Sequence, residues 1–412
     1  MATQTGYKAS ELGMIPQEWK IRRIGDFTDC TAGGTPSTQV SSYWGGEIPW
    51  MSSGELHLKQ VYDVVGRITQ KGLENSSTKF VPANSILIGL AGQGKTRGTV
   101  AISKIPLCTN QSIAAIFPTD EFNSTFLFYN LENRYDELRA LSTGDGGRGG
   151  LNLTIIRNVL VKFPPLPEQT AIATALSDTD ALISSLQTLI AKKKAIKLSA
   201  MQNLLSGKIR LPEFAQRPDG SLKTTRQTEL GCVPEDWEVV ELGEVLSYEQ
   251  PGKYIIHNDD LKVGDIPVLT AGKTFILGYT IEDFNCYENY PVIIFDDFTT
   301  DSKLVNFRFK VKSSAMKMLK PKKNDMPIEL IFMLLQNINF IVGDHKRHWI
   351  SEFQHLKIAI PKSPTEQTAI AQLLSNMDAE IESLEGRLKK TQSLKQGMMQ
   401  ALLSGKIRLP LE

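Results

Sequence analysis

The chain repeats part of itself, and this duplication constrains its fold more than any other sequence feature. The EQ motif, EQTAIA, occupies residues 168–173 and recurs at 366–371. The tail motif, LLSGKIRLP, occupies residues 204–212 and recurs at 402–410. Between the two motifs the copies align without a gap, and about half of their positions are identical. The repeat predicts two equivalent halves.

A third repeated element precedes each copy. This ELG motif, ELGxxPxxW, lies at residues 11–19 and 229–237. By contrast, the variable segments 28–165 and 246–363 look largely unrelated. Plain stabilising symmetry would spread divergence evenly. Repeated motifs that flank unrelated variable segments instead favour a shared scaffold that carries two different recognition domains.

The segments between the EQ and tail motifs are predicted to be two helices of roughly 40 residues each. Glu168 and Glu366 fall in the first turn, where they favour the helix dipole, and Gly207 and Gly405 mark the ends. Apolar residues at alternating steps of three and four indicate a coiled-coil seam. The predicted seam consists of Ile172, Leu176, Ile183, Leu186, Ile190, Ile370, Leu374, Met377, Ile381, Leu384 and Leu388.

Two long helices in equivalent halves are expected to pair in antiparallel fashion about a pseudo-two-fold axis. The alternative is that each helix packs on its own domain. The predicted fold is mixed α/β (α+β), with two strand-rich domains separated by two antiparallel coiled-coil helices. Its segments are a first recognition domain (1–165), a central helix (166–212), a linker with a second domain (213–363) and a C-terminal helix (364–412).

The variable segments contain short apolar runs typical of strands, arranged in the same order in both halves. These runs are 85–89, 99–102 and 112–117 in the first half and 291–295, 306–311 and 314–319 in the second. A helix is expected after each set, at about 124–141 and 328–339. The two domains are therefore predicted to share a fold.

Each helix becomes basic toward its end. The lysines concerned are Lys192, Lys193, Lys194, Lys197, Lys389, Lys390 and Lys395. A solvated helix face, contact with DNA phosphates and contact with an acidic partner all fit such a run. The sequence leaves these three interpretations open.

Three patterns suggest chemistry at first sight. Residues 89–96, GLAGQGKT, match the Walker A pattern, but the following residues are typical of a strand, whereas a phosphate loop needs a helix. Asp296, Asp297 and Asp301 lie too close in sequence for two metal-binding strands, so loop capping and salt bridging are the simpler expectation. The cluster 345–349, HKRHW, fits phosphate or base contact, or a plain surface loop, better than zinc binding.

Composition narrows the class of protein. With 46 Lys and Arg against 45 Asp and Glu, any basic surface must be local. The first residues lack a secretory signal, and residues 328–342 are too short and polar to span a membrane. The four cysteines form no CxxC pair. A cytoplasmic protein without membrane contact is expected.

Together, the duplicated motifs resemble the specificity subunits of type I restriction-modification systems. Further matching stretches are GTPS at 34–37, YWGGEIPW at 43–50 and PPLPEQ at 164–169 in the first half. In the second half they are PVLTAGK at 267–273, IFDDFT at 294–299 and HKRHWI at 345–350. The resemblance covers essentially the whole chain. Its departures are small: SPT at 363–365 replaces the Pro-Pro-Leu-Pro of the first copy.

The resemblance implies a non-catalytic subunit that recognises a bipartite, asymmetric site in double-stranded DNA. Two modification subunits, which bind S-adenosylmethionine and methylate adenine, would dock on the repeated regions. Restriction subunits would add ATP hydrolysis and cleavage, so S-adenosylmethionine, ATP and magnesium are expected on partners and no cofactor on this chain. Competing hypotheses are a P-loop NTPase, a coiled-coil adaptor that binds no DNA and a reader that acts without partners.

From residue type and loop position we predict DNA contacts in both domains, and no catalytic residue or metal ligand. The predicted contacts are Lys95, Arg97, Asn110, Gln111 and Arg148 in the first domain, and Lys273, Thr299, Thr300, Lys303, Lys346 and Arg347 in the second.

Overall fold

The protein forms two compact units. The computed structural model describes residues 6–92, 94–142, 150–257, 261, 263–270, 274–338, 340 and 348–410. Unit 1 combines residues 1–187 with 387–412, and unit 2 consists of residues 188–386. Each unit contains one variable segment and part of both long helices. The two units therefore differ in their boundaries from the four segments predicted from the sequence.

Unit 1 is rich in short strands. They are β1 (Tyr7–Ser10), β2 (Gly13–Pro16), β3 (Lys20–Arg23), β4 (Cys30–Ala32), β5 (Trp44–Met51), β6 (Gln60–Val61), β7 (Arg67–Ile68), β8 (Phe80–Val81), β9 (Ile86–Gly89), β10 (Val100–Ser103), β11 (Leu107–Thr109), β12 (Ile113–Ile116) and β13 (Leu160–Phe163). Its short helices are α1 (Gln70–Glu74), α2 (Ser124–Glu132), α3 (Tyr135–Ala140) and α4 (Leu153–Asn158). The first long helix, α5 (Leu166–Leu204), follows β13.

Unit 2 has a similar order of elements with fewer strands. Its strands are β14 (Thr225–Thr228), β15 (Gly231–Pro234), β16 (Trp237–Glu241), β17 (Leu246–Glu249), β18 (Ile266–Leu269), β19 (Ile276–Thr280), β20 (Val292–Asp296), β21 (Ser302–Val305), β22 (Lys310–Val311), β23 (Met316–Pro321) and β24 (Lys357–Pro361). Its helices are α6 (Pro212–Ala215), α7 (Leu242–Val245), α8 (Ile328–Gln336) and α9 (His348–Ser351), followed by the second long helix, α10 (Pro364–Leu402).

Four strands of the central sheet in unit 1 have counterparts, in the same order, in the central sheet of unit 2. In unit 1 the order is β4-β12-β9-β10-β6, and in unit 2 it is β17-β23-β20-β21. A second sheet contains β7-β5-β11-β8 in unit 1 and β19-β18-β22 in unit 2. The pairs β1-β2 and β3-β13 also recur, as β14-β15 and β16-β24. The two variable segments therefore share a framework, as their strand spacing predicts.

One predicted strand was misplaced. Residues 306–311 were expected to follow the loop after β20, but the strand that pairs with β20 there is β21, Ser302–Val305. Within 306–311, only Lys310 and Val311 form a strand, β22. The sequence around Lys303 is polar, and its period-2 pattern is short. The strand was therefore interpreted as part of the loop.

Apolar runs form the central strands because both faces of the unit 1 sheet are covered. Ile86 and Ile88 of β9 belong to one apolar cluster, which also includes buried residues of α2. Leu87, between them, points into a second cluster with Met51 and Leu107. A strand with both faces buried needs a continuous apolar run rather than an alternating one.

Both long helices contain 39 residues and run antiparallel wherever they meet within a unit. In unit 1, Asp180 Oδ1 accepts from Lys395 Nζ at 2.7 Å. In unit 2, Lys193 Nζ lies 2.7 Å from Glu380 Oε1, and Lys197 further along α5 pairs with Asp378, earlier on α10. Residue numbers thus rise on one helix as they fall on the other.

The predicted seam residues are all buried or half-buried. Ile172 and Leu176 lie in the core of unit 1, which also contains Met399 and Leu402 of the other helix. Ile370 and Leu374 occupy the same place in unit 2. Each helix therefore packs both on its own domain and on the other helix, so the two interpretations of the helical segments are not exclusive.

Several lysines of the basic runs have acidic neighbours on the other helix. Besides Lys193 and Lys197, Lys194 Nζ lies 2.6 Å from Glu385 Oε1 in unit 2. Lys395 of α10 pairs with Asp180 in unit 1. The sequence shows no acid near these lysines because the acids lie some 180 or more positions away in the chain.

The three repeated motifs meet at one closure in each unit. In unit 1, Glu168 of the EQ motif is buried and accepts hydrogen bonds from Trp19 Nε1 (2.9 Å) and Arg408 Nε (2.9 Å). In unit 2, Glu366 accepts from Arg210 Nε at 3.0 Å. Each tail motif therefore closes the unit that contains the other copy's EQ motif.

A glycine is required at each closure. Gly405 (φ +76°) and Gly207 (φ +69°) have the left-handed backbone that favours glycine. A Cβ on Gly405 would lie 2.6 Å from Pro16 Cδ, and one on Gly207 2.5 Å from Pro234 Cδ. The tail and ELG motifs thus carry matching glycine and proline because the two segments touch.

The unit 2 closure includes a second acid. Arg210 Nη1 lies 2.7 Å from Asp236 Oδ1, and Lys223 Nζ lies 2.7 Å from Asp236 Oδ2. Burial raises the pKa of Asp236, but the hydrogen bonds from Arg210 and Lys223 outweigh it, so the pKa is lowered overall. The carboxylate therefore stays charged.

Candidate nucleic-acid interface

In unit 1, three loops meet at one end of the central sheet. Gly89 of β9 pairs with Ile113 of β12, so the loop after β9 and the turn before β12 leave the same end of the ladder. Leu90 N donates to Ser112 O at 2.8 Å, and Thr35 Oγ1 donates to Gln111 Oε1 at 2.6 Å. The sheet thus brings the loops that carry Lys95, Asn110 and Gln111 to one edge.

The side chains on these loops differ in exposure. Lys95 and Gln111 are exposed, and Asn110 is half-buried with its Oδ1 accepting from Ser112 N at 3.2 Å. Arg97 is buried, with 8% of its surface exposed. A contact between Arg97 and DNA therefore requires its side chain to move. Thr35, which sequence reasoning missed, orients Gln111.

The Walker-like loop lacks the context of a phosphate site. Residues 94, 95, 97 and 98 are turns, and β10 begins at Val100, so no helix offers its N-terminal amides there. Arg139 of α3 instead donates to Gly94 O, and α3 packs against Gly98. This geometry does not favour the NTPase alternative.

In unit 2, the equivalent loop joins β20 to β21. Asp296 Oδ1 accepts from Phe298 N (2.9 Å) and Thr299 N (3.3 Å), which folds the loop back on itself. Thr299 is exposed, Thr300 is half-buried with φ +60°, and Lys303 is exposed on β21. Asp296 therefore caps the loop, in line with the simpler expectation.

Among the residues that the structure describes, no group of three or more His, Cys, Asp or Glu side chains could hold a metal ion. No helix in that part of the chain combines the length and apolar character needed to cross a membrane. Four predicted DNA contacts lie outside the described residues: Arg148, Lys273, Lys346 and Arg347.

His348 and Trp349 are buried and do not face a ligand at the surface. Both are 1% exposed, and Trp349 lies in the core of unit 2, 5.2 Å from the Phe295 ring. The pattern of two cations followed by an aromatic residue suggested base contact, but the tryptophan serves as a core anchor. The residues before it remain the candidates in this segment.

A surface groove recurs in both units and is lined by equivalent residues. It lies between the ELG motif, a tail motif and the end of α2 or α8. Six equivalent lining pairs share a residue type: Leu12 and Leu230, Gly13 and Gly231, Asn133 and Asn337, Leu403 and Leu205, Ser404 and Ser206, and Lys406 and Lys208. Other equivalent lining positions differ, such as Met14 and Cys232 or Asn130 and Leu334.

Both grooves carry cationic side chains. In unit 1, half-buried Lys162 lines the groove, and its pKa is lowered by burial and by the nearby Lys406 and Arg134. In unit 2, Lys208 and Lys357 line it. The apolar and cationic lining suits a ligand that offers apolar groups and a carboxylate.

Comparison with known proteins identifies the class. The family of type I restriction modification DNA specificity domains matches residues 16–195 and 234–392, one match in each half. Because these matches cover most of the chain, the chain belongs to this family.

Three specificity subunits of type I restriction enzymes are similar in sequence. The chain is 32% identical over 257 residues to MjaIX of Methanocaldococcus jannaschii, covering 60% of this chain and 56% of that protein. It is 26% identical over 426 residues to MjaVIII of the same organism, covering 96% and 94%. For EcoR124I/EcoR124II of Escherichia coli the identity is 46% over 154 residues, covering 34% and 38%. The first and third matches span less than two thirds of the relative's length.

Solved structures share the fold. The crystal structure of the type I restriction-modification S subunit from M. genitalium has a TM-score of 0.63 at 16% identity, covering 93% of this chain and 96% of that chain. A chain from a structure describing complex assembly and conformational transition of the type I R-M system has a TM-score of 0.52 at 13% identity, covering 95% and 99%.

Proposed function

We propose that this chain is the sequence-specific DNA-recognition subunit of a type I restriction-modification complex. One observation carries the proposal: two units share a framework, while the loops at the same sheet edge differ completely. The loop after β9 reads LAGQGKTRGT, and the loop after β20 reads DFTTD. Such a pair of domains suits a bipartite site with two unlike half-sites.

In this mechanism the sheet-edge loops enter a major groove, where Lys side chains fix phosphates and Gln, Asn and Thr side chains contact base edges. Half-sites about one helical turn apart, about 10–10.5 bp between centres, place both domains on the same side of the duplex. The chain itself performs no chemical step. Adenine methylation and cleavage, with S-adenosylmethionine, ATP and magnesium, belong to its partners in the cytoplasm.

The recurring groove supports the partner part of the proposal. Grooves that share six equivalent lining residues suit two copies of one partner, whereas divergent loops suit two different DNA sequences. We assign the two grooves to two modification subunits. Restriction subunits would join that assembly.

Footprinting with the modification subunit on random duplex DNA tests the DNA-binding role. The expected result is one protected motif in two parts. A protein that protects no two-part motif would contradict the proposal and favour the adaptor alternative. A reader without partners would protect the same motif when the modification subunit is left out.

Exchange of residues 28–165 for those of a relative tests modular reading. Only one half of the protected motif should change, because the segment replaces the loops of unit 1 and leaves those of unit 2 intact. A change in both halves, or in neither, would argue against one domain per half-site.

A further inference from the structure

The two units differ at one buried position beside the candidate DNA-contact loops. In unit 1, Leu90 N donates to Ser112 O (2.8 Å), and Leu90 O accepts from Leu151 N (2.9 Å). In unit 2, Asp297 N donates to Ala315 O (2.9 Å), and Asp297 O accepts from His348 N (2.9 Å). Asp297 therefore stands where unit 1 has an apolar residue.

A buried lysine accompanies this aspartate. Lys317 Nζ lies 3.0 Å from Asp297 Oδ2, and neither side chain is more than 1% exposed. Ala114 pairs with Ile88 in unit 1 as Lys317 pairs with Phe295 in unit 2, so alanine is the counterpart of Lys317. Lys317 Nζ also donates to Gln250 Oε1 at 3.2 Å.

Stability alone does not call for this ion pair. Burying two charges carries a desolvation penalty, and apolar residues of similar volume often serve as well or better. Unit 1 shows that the framework accepts Leu90 and Ala114 at the same two positions. Compared with an apolar pair, the charged pair adds hydrogen bonds, whose geometry fixes the direction of the contact.

That contact connects the β20–β21 loop, which carries predicted DNA contacts, to α9. Asp297 Oδ1 accepts from Trp349 N at 2.9 Å, in α9, two residues after Arg347 in the chain. Asp297 is also the residue from which the loop bearing Thr299 and Thr300 departs. One carboxylate, held by Lys317, therefore joins the start of the β20–β21 loop to α9.

We propose that Asp297 and Lys317 are positioning residues that hold the β20–β21 loop, which carries Thr299 and Thr300, in place against α9. This proposal rests on the proposed function. Recognition of the half-site by unit 2 then depends on a buried ion pair, whereas recognition by unit 1 does not.

The double variant Asp297→Leu with Lys317→Met separates positioning from stability. It restores an apolar pair like that of unit 1, so thermal stability should stay close to wild type. The hydrogen bond to Trp349 N is lost, and hydrogen exchange at that amide should accelerate. In complex with modification subunits, discrimination against a mismatch should fall at least about tenfold in the half-site of unit 2. Discrimination in the other half-site should stay unchanged.

The matched control is Glu282→Leu with Lys310→Met, which removes another buried ion pair of unit 2, with 2.8 Å between Nζ and Oε2. This pair contacts neither Trp349 nor the β20–β21 loop, so the control should keep full discrimination. Full discrimination in the Asp297 variant, or equal loss in the control, would overturn the positioning role alone. If wild type protects no two-part motif, the proposed function fails and the positioning role falls with it.

Discussion

Arg210 and Glu366 show how much of the structure depends on single residues in the repeated motifs. Their side chains are 8% and 2% exposed, and two hydrogen bonds join the guanidinium to the carboxylate. A buried carboxylate without its partner is strongly destabilising, whereas an exposed ion pair contributes little. The repetition of Arg and Glu in both halves therefore follows from the closure.

Arg210→Ala should lower the free energy of unfolding of unit 2 by about 3–5 kcal/mol, because Glu366 stays buried without Arg210. Urea-induced unfolding measures the effect, and adding Glu366→Gln should recover part of it. Arg217→Ala is the control, since Arg217 pairs with Glu235 at the surface and its loss should change stability by at most about 1 kcal/mol. Equal effects of the two alanine variants would contradict the role of the closure.

At the level of residues, the sequence predicts loop membership better than side-chain exposure. Lys95, Gln111 and Thr299 lie exposed on the expected loops. Arg97 and Trp349 are buried, because tertiary packing decides their exposure and one sequence does not show it. Lys317 stands between the apolar residues Met316 and Met318 in β23, and this position is the sequence signal for the buried ion pair.

Among the elements, the long helices were the most predictable because their apolar period extends over many turns. Both cover nearly the expected length. Strand β21 was missed because four residues hold too short a pattern. The acids that face the lysines of α5 lie on α10, and their register depends on helix packing rather than on local sequence.

Replacing Asp378, Glu380 and Glu385 together with lysine should destabilise unit 2 by about 1–3 kcal/mol, since three attractive pairs become repulsive. Reversing Lys193, Lys194 and Lys197 to glutamate in the same protein should restore stability, as measured by urea-induced unfolding at low salt. Both effects should shrink at high salt. Glu382→Lys, on the same helix, controls for added charge. Failure of the second set to rescue the first would refute this antiparallel register.

At the scale of the whole molecule, repeated residues have two different explanations. The closure residues recur because they are buried against one another. Lys208 and Lys406 are exposed and line equivalent grooves, so packing does not account for their recurrence. The docking of one partner type at both grooves, as proposed above, would account for it.

Lys208→Glu should reduce the number of bound modification subunits per chain from two to one, because a carboxylate in the groove repels an acidic partner segment. Lys406→Glu should do the same, and the double variant should bind none. Native mass spectrometry counts the subunits. Lys303→Glu, on the candidate DNA-contact edge, should keep two. Single variants that keep both subunits, or lose both, would show that the grooves do not act independently.

The closures also set the order in which the protein is completed during synthesis. The core of unit 1 contains Met399, Leu402 and Leu403. Glu168 cannot form its ion pair until Arg408, 240 positions later in the chain, has been synthesised. Unit 2 draws all of its residues from 188–386. The domain translated first is therefore finished last. While the ribosome moves through the second half, the apolar surface of unit 1 that receives α10 stays uncovered and open to wrong associations.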